Sequence, residues 1–187
     1  MKTKTKKLST VSMVLCGMFA ALVAIGAFIQ IPVSYMDYFT LQFFFVLLAG
    51  LILGADKGAI SVGCYVLLGL VGVPIFAAGG GIGYIFRPSF GYLVGFIVSA
   101  YVTGKVCEKL KASYKNYLLA CLAGFVVTYA IGIVYKFIIL NFYAHTPATL
   151  GVIFLSCFPL DMPGDFVLCL LAAGVGLRMR KSGFYLS

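Results

Sequence analysis

The sequence has 187 residues, of which 63% are hydrophobic and only 10% are charged. Because charged residues usually make up about a quarter of a soluble domain, this composition excludes a water-soluble globular protein and favours an apolar surface that faces lipid. The net charge of +9 does not indicate a nucleic-acid partner, since the basic residues lie in short connections between apolar segments.

Six apolar segments follow one another along the chain. The first, residues 9–31, follows the basic segment Lys2–Lys7 and is too long for a typical signal peptide, so we expect an uncleaved helix. The other predicted spans cover residues 39–54, 58–74, 88–106, 116–143 and 163–179. The sequence therefore predicts an all-α membrane protein with six transmembrane helices in one domain, residues 1–187.

The basic residues predict the orientation of these helices. An even number of spans puts both termini on one side of the membrane. That side receives twelve of the fourteen basic residues, namely Lys2, Lys4, Lys6, Lys7, Lys57, Lys105, Lys109, Lys111, Lys115, Arg178, Arg180 and Lys181. Since basic loops remain inside, we expect both termini in the cytoplasm.

Five charged residues lie in the predicted outer half: Asp37, Arg87, Lys136, Asp161 and Asp165. A charge at membrane depth needs a partner or a cavity. Arg87 precedes Pro88 at a helix start, where a cation opposes the helix dipole. It either extends to outer lipid phosphates or pairs with a carboxylate, from Asp165 or from a ligand.

Asp165 and Lys136 each have two interpretations. Asp165 follows Pro163 near the start of the last helix, where it either complements the helix dipole or meets a ligand at an open Pro-Gly turn. Lys136 lies deeper in the fifth span and either extends to the interface or contributes to the same site.

The first span carries a strip of small residues. Cys16, Ala20, Ala24 and Ala27 recur at helical spacing on one face. In lipid, small residues allow a close approach of helices. The strip either packs inside this chain or docks onto a separate membrane subunit.

The sequence gives no positive indication of an enzyme. His145 is the only histidine, and the six cysteines show no metal-ligand spacing. The glycine cluster, residues 79–83, lacks the Lys-Ser/Thr ending of a P-loop, so we expect gating or backbone packing on a flat ligand instead. We therefore predict no catalytic residue, no metal and no cofactor.

Several blocks together resemble the BioY family of biotin transporters: Thr40–Gln42, Phe45–Gly50, Gly58–Ser61, Leu67–Pro74, Pro88–Phe96 and Pro163–Asp165. BioY proteins are the substrate-binding S components of energy-coupling factor (ECF) transporters, which are ABC transporters. The resemblance implies high-affinity capture of biotin at the outer face of the cell membrane by a multi-pass protein. It also implies a transmembrane coupling protein and two cytoplasmic ATPase subunits as partners, with Ala20 and Ala24 as the docking contact.

The chemistry of biotin suggests roles for the remaining polar residues. Arg87 or Lys136 would pair with the carboxylate of biotin, and Asp165 would accept hydrogen bonds from its ureido N–H groups. Tyr84, Phe90 and their aromatic neighbours would flank the ring. The alternatives are an S component for another vitamin, such as thiamin or riboflavin, a stand-alone vitamin carrier, and a membrane assembly factor.

Overall fold

The computed structural model describes residues 9–33, 37–146, 148–157 and 161–183, so the basic segment Lys2–Lys7 lies outside the described residues. Within these ranges the chain is mainly helical and contains one small hairpin. The elements are α1 (Thr10–Phe28), β1 (Gln30–Val33), β2 (Asp37–Thr40), α2 (Gln42–Leu53), α3 (Ala55–Val71), α4 (Phe90–Lys109), α5 (Tyr114–Ile138), α6 (Leu150–Cys157) and α7 (Asp161–Lys181). A 3₁₀ helix covers Ile82–Phe86, and a π-helical turn, Ile139–Tyr143, extends α5.

A helix lies in each of the six apolar segments, but the helices differ in length. Four of them are long and apolar enough to cross a membrane: α1, α4, α5 with its extension, and α7. Helix α2 has only 12 residues and α3 has 17. The described residues thus form a membrane-type helical protein with four clear candidate spans.

The connection after α1 is a β-hairpin, which the sequence did not reveal. Strand β1 pairs antiparallel with β2, with Gln30 opposite Thr40. The hairpin shortens both flanking helices, because α1 ends at Phe28 and α2 begins at Gln42. Pro32 is compatible with β1 because β1 is an edge strand, where proline is tolerated.

Helix α4 lies at the centre of the bundle and contacts α2, α3 and α5. Glycines allow these contacts. A Cβ built on Gly104 would lie 2.6 Å from the Gly54 carbonyl carbon and from the Ala55 Cα, and one built on Gly95 would lie 3.0 Å from the Thr128 carbonyl oxygen. Side chains are therefore excluded where α4 meets the α2–α3 turn and α5, as is typical of helix packing in lipid.

This packing predicts that Gly104→Ala destabilises the protein. The added methyl group meets rigid backbone atoms, and overpacking of this kind costs about 1–3 kcal/mol. Gly63→Ala in α3 is the matched control, since nothing lies within 4 Å of a Cβ at that position. Thermal unfolding in detergent should show a lower midpoint for Gly104→Ala only. Equal midpoints for the two variants would refute the close approach of α4 to the α2–α3 turn.

Candidate functional site

A cavity lies where the hairpin meets the beginnings of α2, α4 and α7. Its lining combines aromatic side chains with a few polar groups. The lining residues are Tyr38, Phe39, Thr40, Gln42, Phe43, Ala77, Tyr84, Ser89, Tyr92, Leu93, Phe96, Tyr129, Asp161 and Asp165. This combination is typical of sites for small molecules, in which apolar walls bury the ligand and placed polar groups orient it.

Asp165 is the main buried acid of the cavity. It lies in the second turn of α7 and is 9% exposed. The hydroxyl group of Tyr129, from α5, donates a hydrogen bond of 2.8 Å to its Oδ2 atom. Because a carboxylate offers about four lone-pair positions, Asp165 can accept further hydrogen bonds from a ligand. Gly164 lets Phe39 of β2 pack directly over this turn.

Aromatic rings pack together along the cavity wall. Phe43 stacks on Phe96 with ring centroids 5.9 Å apart, and Phe125 lies 4.7 Å from Tyr129. Tyr92 meets Tyr129 edge to face at 5.8 Å. These rings provide flat apolar surfaces from α2, α4 and α5, which suit a rigid ring system.

Of the predicted residues, Tyr84 lines the cavity and Arg87 lies next to it. Tyr84 is 6% exposed, and the guanidinium carbon of Arg87 lies 5.4 Å from the centroid of its ring, a cation–π contact. Arg87 itself is exposed. Within the described part of the chain it forms no ion pair with Asp165, so a ligand carboxylate and lipid phosphate remain as its candidate partners.

Lys136 and Phe90 lie outside the cavity lining. Lys136 is only 1% exposed and is enclosed by protein, on the same face of α5 as Gly132 and Tyr129. Phe90, at the start of α4, is 8% exposed and packs against the ring of Tyr135 at 5.8 Å. Their predicted contacts with a ligand therefore remain predictions.

Several residues of the site were not predicted from the sequence. Gln42, Phe43, Tyr92 and Tyr129 line the cavity. Gln42 carried a usable signal, because an amide at the head of an apolar segment needs a partner or a cavity. The aromatic residues carried none, since the sequence is rich in Phe and Tyr throughout.

The glycine cluster is held against α3. Phe76 and Gly79 exchange backbone hydrogen bonds of 2.8 and 3.1 Å, and the N–H of Gly81 donates to the carbonyl of Gly69 at 2.7 Å. Gly79 and Gly81 have φ values of 108° and 100°, which favour glycine. This turn brings Ala77 to the cavity. Its predicted role in gating is not tested by this geometry.

The strip of small residues on α1 is divided between two environments. Cys16, Ala20 and Ala27 are at most 8% exposed, because this face of α1 packs on α2 and α3. Ala24 is half-buried, and Gly17 and Ala21 are exposed. Part of the strip therefore packs inside the chain, while Gly17, Ala21 and Ala24 form an outward strip of small residues.

The described residues contain no group of three or more His, Cys, Asp or Glu side chains that would hold a metal ion. The cavity instead has the features of a site for an organic molecule with hydrogen-bond donors. These are one buried acid, several hydroxyl and amide groups, and aromatic walls.

The chain is similar to known proteins over nearly its whole length. The model of the BioY family matches residues 1–183. A probable biotin transporter BioY from Lysinibacillus sphaericus is 39% identical over 94% of this chain and 90% of the relative. A biotin transporter BioY from Thermotoga maritima is also 39% identical, over 88% and 93%. A crystal structure of the S-component for biotin from an ECF-type ABC transporter superposes with a TM-score of 0.83 at 25% identity, covering 99% of this chain and 97% of that one.

Proposed function

Because this chain belongs to the BioY family, we propose that it is a biotin-uptake protein, the biotin-binding S component of an ECF-type ABC transporter. It is a transport protein and not an enzyme, with biotin as its transported ligand and no cofactor. We propose that it forms one multi-pass domain in the cell membrane, with six transmembrane helices and both termini in the cytoplasm.

The buried carboxylate of Asp165 is the observation that best supports this function. Biotin has a polar cyclic urea, an apolar body with a thioether, and a carboxylate tail. A urea presents two N–H donors, and a carboxylate acceptor gives charge-assisted bonds to them. Tyr129 holds Asp165 from one side, and the rings of Phe43 and Phe96 offer flat apolar contact for the ring system.

Arg87 is the proposed partner of the biotin carboxylate. It lies beside Tyr84, which lines the cavity, and its exposed position suits the end of the ligand that carries the charge. A cation outside the apolar walls also disfavours a cationic ligand such as thiamin. Lys136, buried on α5, is the second candidate for this partner.

We expect Arg87→Met to weaken biotin binding about 10–100-fold, because an ion pair with hydrogen bonds in a partly closed site contributes about 1.5–3 kcal/mol. The affinity of the variant for biotin methyl ester, which carries no charge, should fall much less. Both ligands would be titrated into the purified variant. The matched control is Arg178→Met, in the last turn of α7 and far from the cavity. An equal loss for the acid and the ester would show that Arg87 does not bind the carboxylate.

We propose further that the outward strip Gly17, Ala21 and Ala24, with Ala20 behind it, docks onto a transmembrane coupling protein. Two cytoplasmic ATPase subunits would then supply the energy, in agreement with the lack of a P-loop sequence here. Biotin would reach the cytoplasm when the whole protein tilts in the membrane on this contact.

Uptake of labelled biotin tests this function in cells. The chain would be expressed in a biotin-auxotrophic bacterium that lacks its own biotin transporter, with and without an ECF coupling protein and ATPases. We expect uptake only with the complete set, and competition by unlabelled biotin but not by thiamin or riboflavin. Uptake without the partners would indicate a stand-alone carrier. Competition by another vitamin would show that biotin is not the specific substrate.

A further inference from the structure

A chain of hydrogen bonds leads from the cavity to the loop between α3 and α4. Thr40 Oγ1 donates to Gln42 Oε1 at 3.2 Å, Gln42 Nε2 donates to the Tyr65 hydroxyl at 2.6 Å, and that hydroxyl donates to the Ile75 carbonyl at 3.1 Å. Thr40 and Gln42 line the cavity, whereas Tyr65 is fully buried behind them. These hydrogen bonds therefore connect the cavity wall with the α3–α4 loop, which itself contributes Ala77 and Tyr84 to that wall.

The donor-to-acceptor direction of these hydrogen bonds fixes the orientation of the Gln42 amide. The Tyr65 hydroxyl has a single hydrogen, which bonds the Ile75 carbonyl, so its oxygen must accept from Gln42. The amide nitrogen thus points to Tyr65 and the amide oxygen to Thr40. A primary amide has two N–H donors, and only one is used by Tyr65. Among the described residues the second N–H of Gln42 forms no hydrogen bond, and Gln42 lines the cavity.

We propose that Gln42 is a further ligand-binding residue, whose second N–H donates to the carbonyl oxygen of the urea of the ligand, and that Tyr65 is the positioning residue that keeps this donor in place. The inference rests on the proposed biotin-binding function. It complements Asp165, because a urea needs an acceptor for its N–H groups and a donor for its carbonyl oxygen.

Tyr65 does not line the cavity, and it contacts the cavity wall through Gln42 and the α3–α4 loop. Its ring packs edge to face on Phe76 at 5.5 Å, and Phe76 lies 4.6 Å from the ring of Tyr84. Phe76 is 1% exposed and approaches Gly69 so closely that no Cβ would fit there. The hydroxyl of Tyr65 can therefore be removed without disturbing the ring packing that holds this wall of the cavity.

The ligand 2-iminobiotin provides the test, because its protonated guanidinium group offers donors where biotin offers a carbonyl acceptor. In Gln42→Glu an acceptor replaces the N–H donor. We expect the preference for biotin over 2-iminobiotin, measured as the ratio of the two Kd values at neutral pH, to fall at least about 100-fold. The wild-type protein should prefer biotin.

Tyr65→Phe tests the positioning role and does not depend on burying a new charge. Without the Tyr65 hydroxyl, the Gln42 amide is free to turn over and present its oxygen. We expect the preference for biotin to fall about tenfold. The thermal midpoint should fall only modestly, because the ring packing is kept although the Ile75 carbonyl loses its donor. Tyr101→Phe on α4 is the matched control and should leave the preference unchanged, because Tyr101 is exposed and its hydroxyl forms no hydrogen bond with the described residues.

The outcomes separate this inference from the proposed function. If the wild-type protein binds biotin and Tyr65→Phe lowers the affinities for biotin and 2-iminobiotin by the same factor, Tyr65 has only a structural role and the positioning proposal is overturned. If Gln42→Glu retains the wild-type preference, Gln42 does not donate to the urea carbonyl. Failure of the folded wild-type protein to bind biotin at all would overturn the proposed function itself, and this inference with it.

Discussion

Asp165→Asn is expected to lower the affinity for biotin by roughly 10²–10⁴-fold. The substitution keeps the shape of the side chain but removes its charge and replaces one acceptor oxygen by a donor, which then faces the N–H groups of the urea. Two charge-assisted hydrogen bonds to a ligand contribute about 1.5–3 kcal/mol each, which gives this range. Tyr129 can still donate to the remaining oxygen, so we expect the fold to be retained.

Asp56→Asn is the matched control for this experiment. Asp56 lies in the first turn of α3, is exposed, and lies outside the cavity. The Asp56→Asn variant should bind biotin with the affinity of the wild type. If Asp165→Asn binds biotin as tightly as Asp56→Asn, the carboxylate of Asp165 is not the acceptor for the urea.

The double variant Ala21→Leu/Ala24→Leu is expected to abolish biotin uptake by the complete transporter, while biotin binding by the isolated protein remains within about twofold of the wild type. Leucine side chains on the outward strip of α1 would prevent the close approach of a partner helix. Ala20 is less suitable for this test, because it is 8% exposed and packs inside the chain. Labelled uptake and co-purification with the coupling protein would be measured together.

Ala130→Leu is the control for added bulk on a lipid-facing surface, since Ala130 is an exposed alanine of α5. It should support uptake and co-purification. Normal uptake by the α1 variant would show that the strip is not the docking surface. Loss of biotin binding in that variant would instead show that the strip supports the fold.

Hydropathy and charge were sufficient to predict the helical membrane class, because long apolar segments leave few other structures open in lipid. They could not reveal the hairpin of residues 30–40. A short polar and aromatic connection was predicted between the first two spans, and the antiparallel pairing of β1 with β2 left no periodic mark in so short a segment. The predicted first helix was therefore too long by three residues, and α2 proved short.

The site was only partly accessible to the same analysis. Asp165 and Arg87 emerged because a charge is conspicuous in an apolar sequence, and Tyr84 was one of the aromatic residues expected to flank the ring of the ligand. Gln42 was missed although an amide at the head of an apolar segment is a usable signal. Tyr129 was missed because its significance depends on its contact with Asp165 across the bundle. Sequence spacing likewise could not show that Ala20 faces inward while Ala21 faces outward.

Calorimetric titration of biotin into the purified, detergent-solubilised protein is the most direct test of the central claim, that this chain binds biotin with high affinity through Asp165. We predict one saturable site with a Kd in about the nanomolar range, and loss of that heat signal in Asp165→Ala. Correctly folded wild-type protein that gives no heat of binding with biotin would contradict the claim and direct the search to other vitamins.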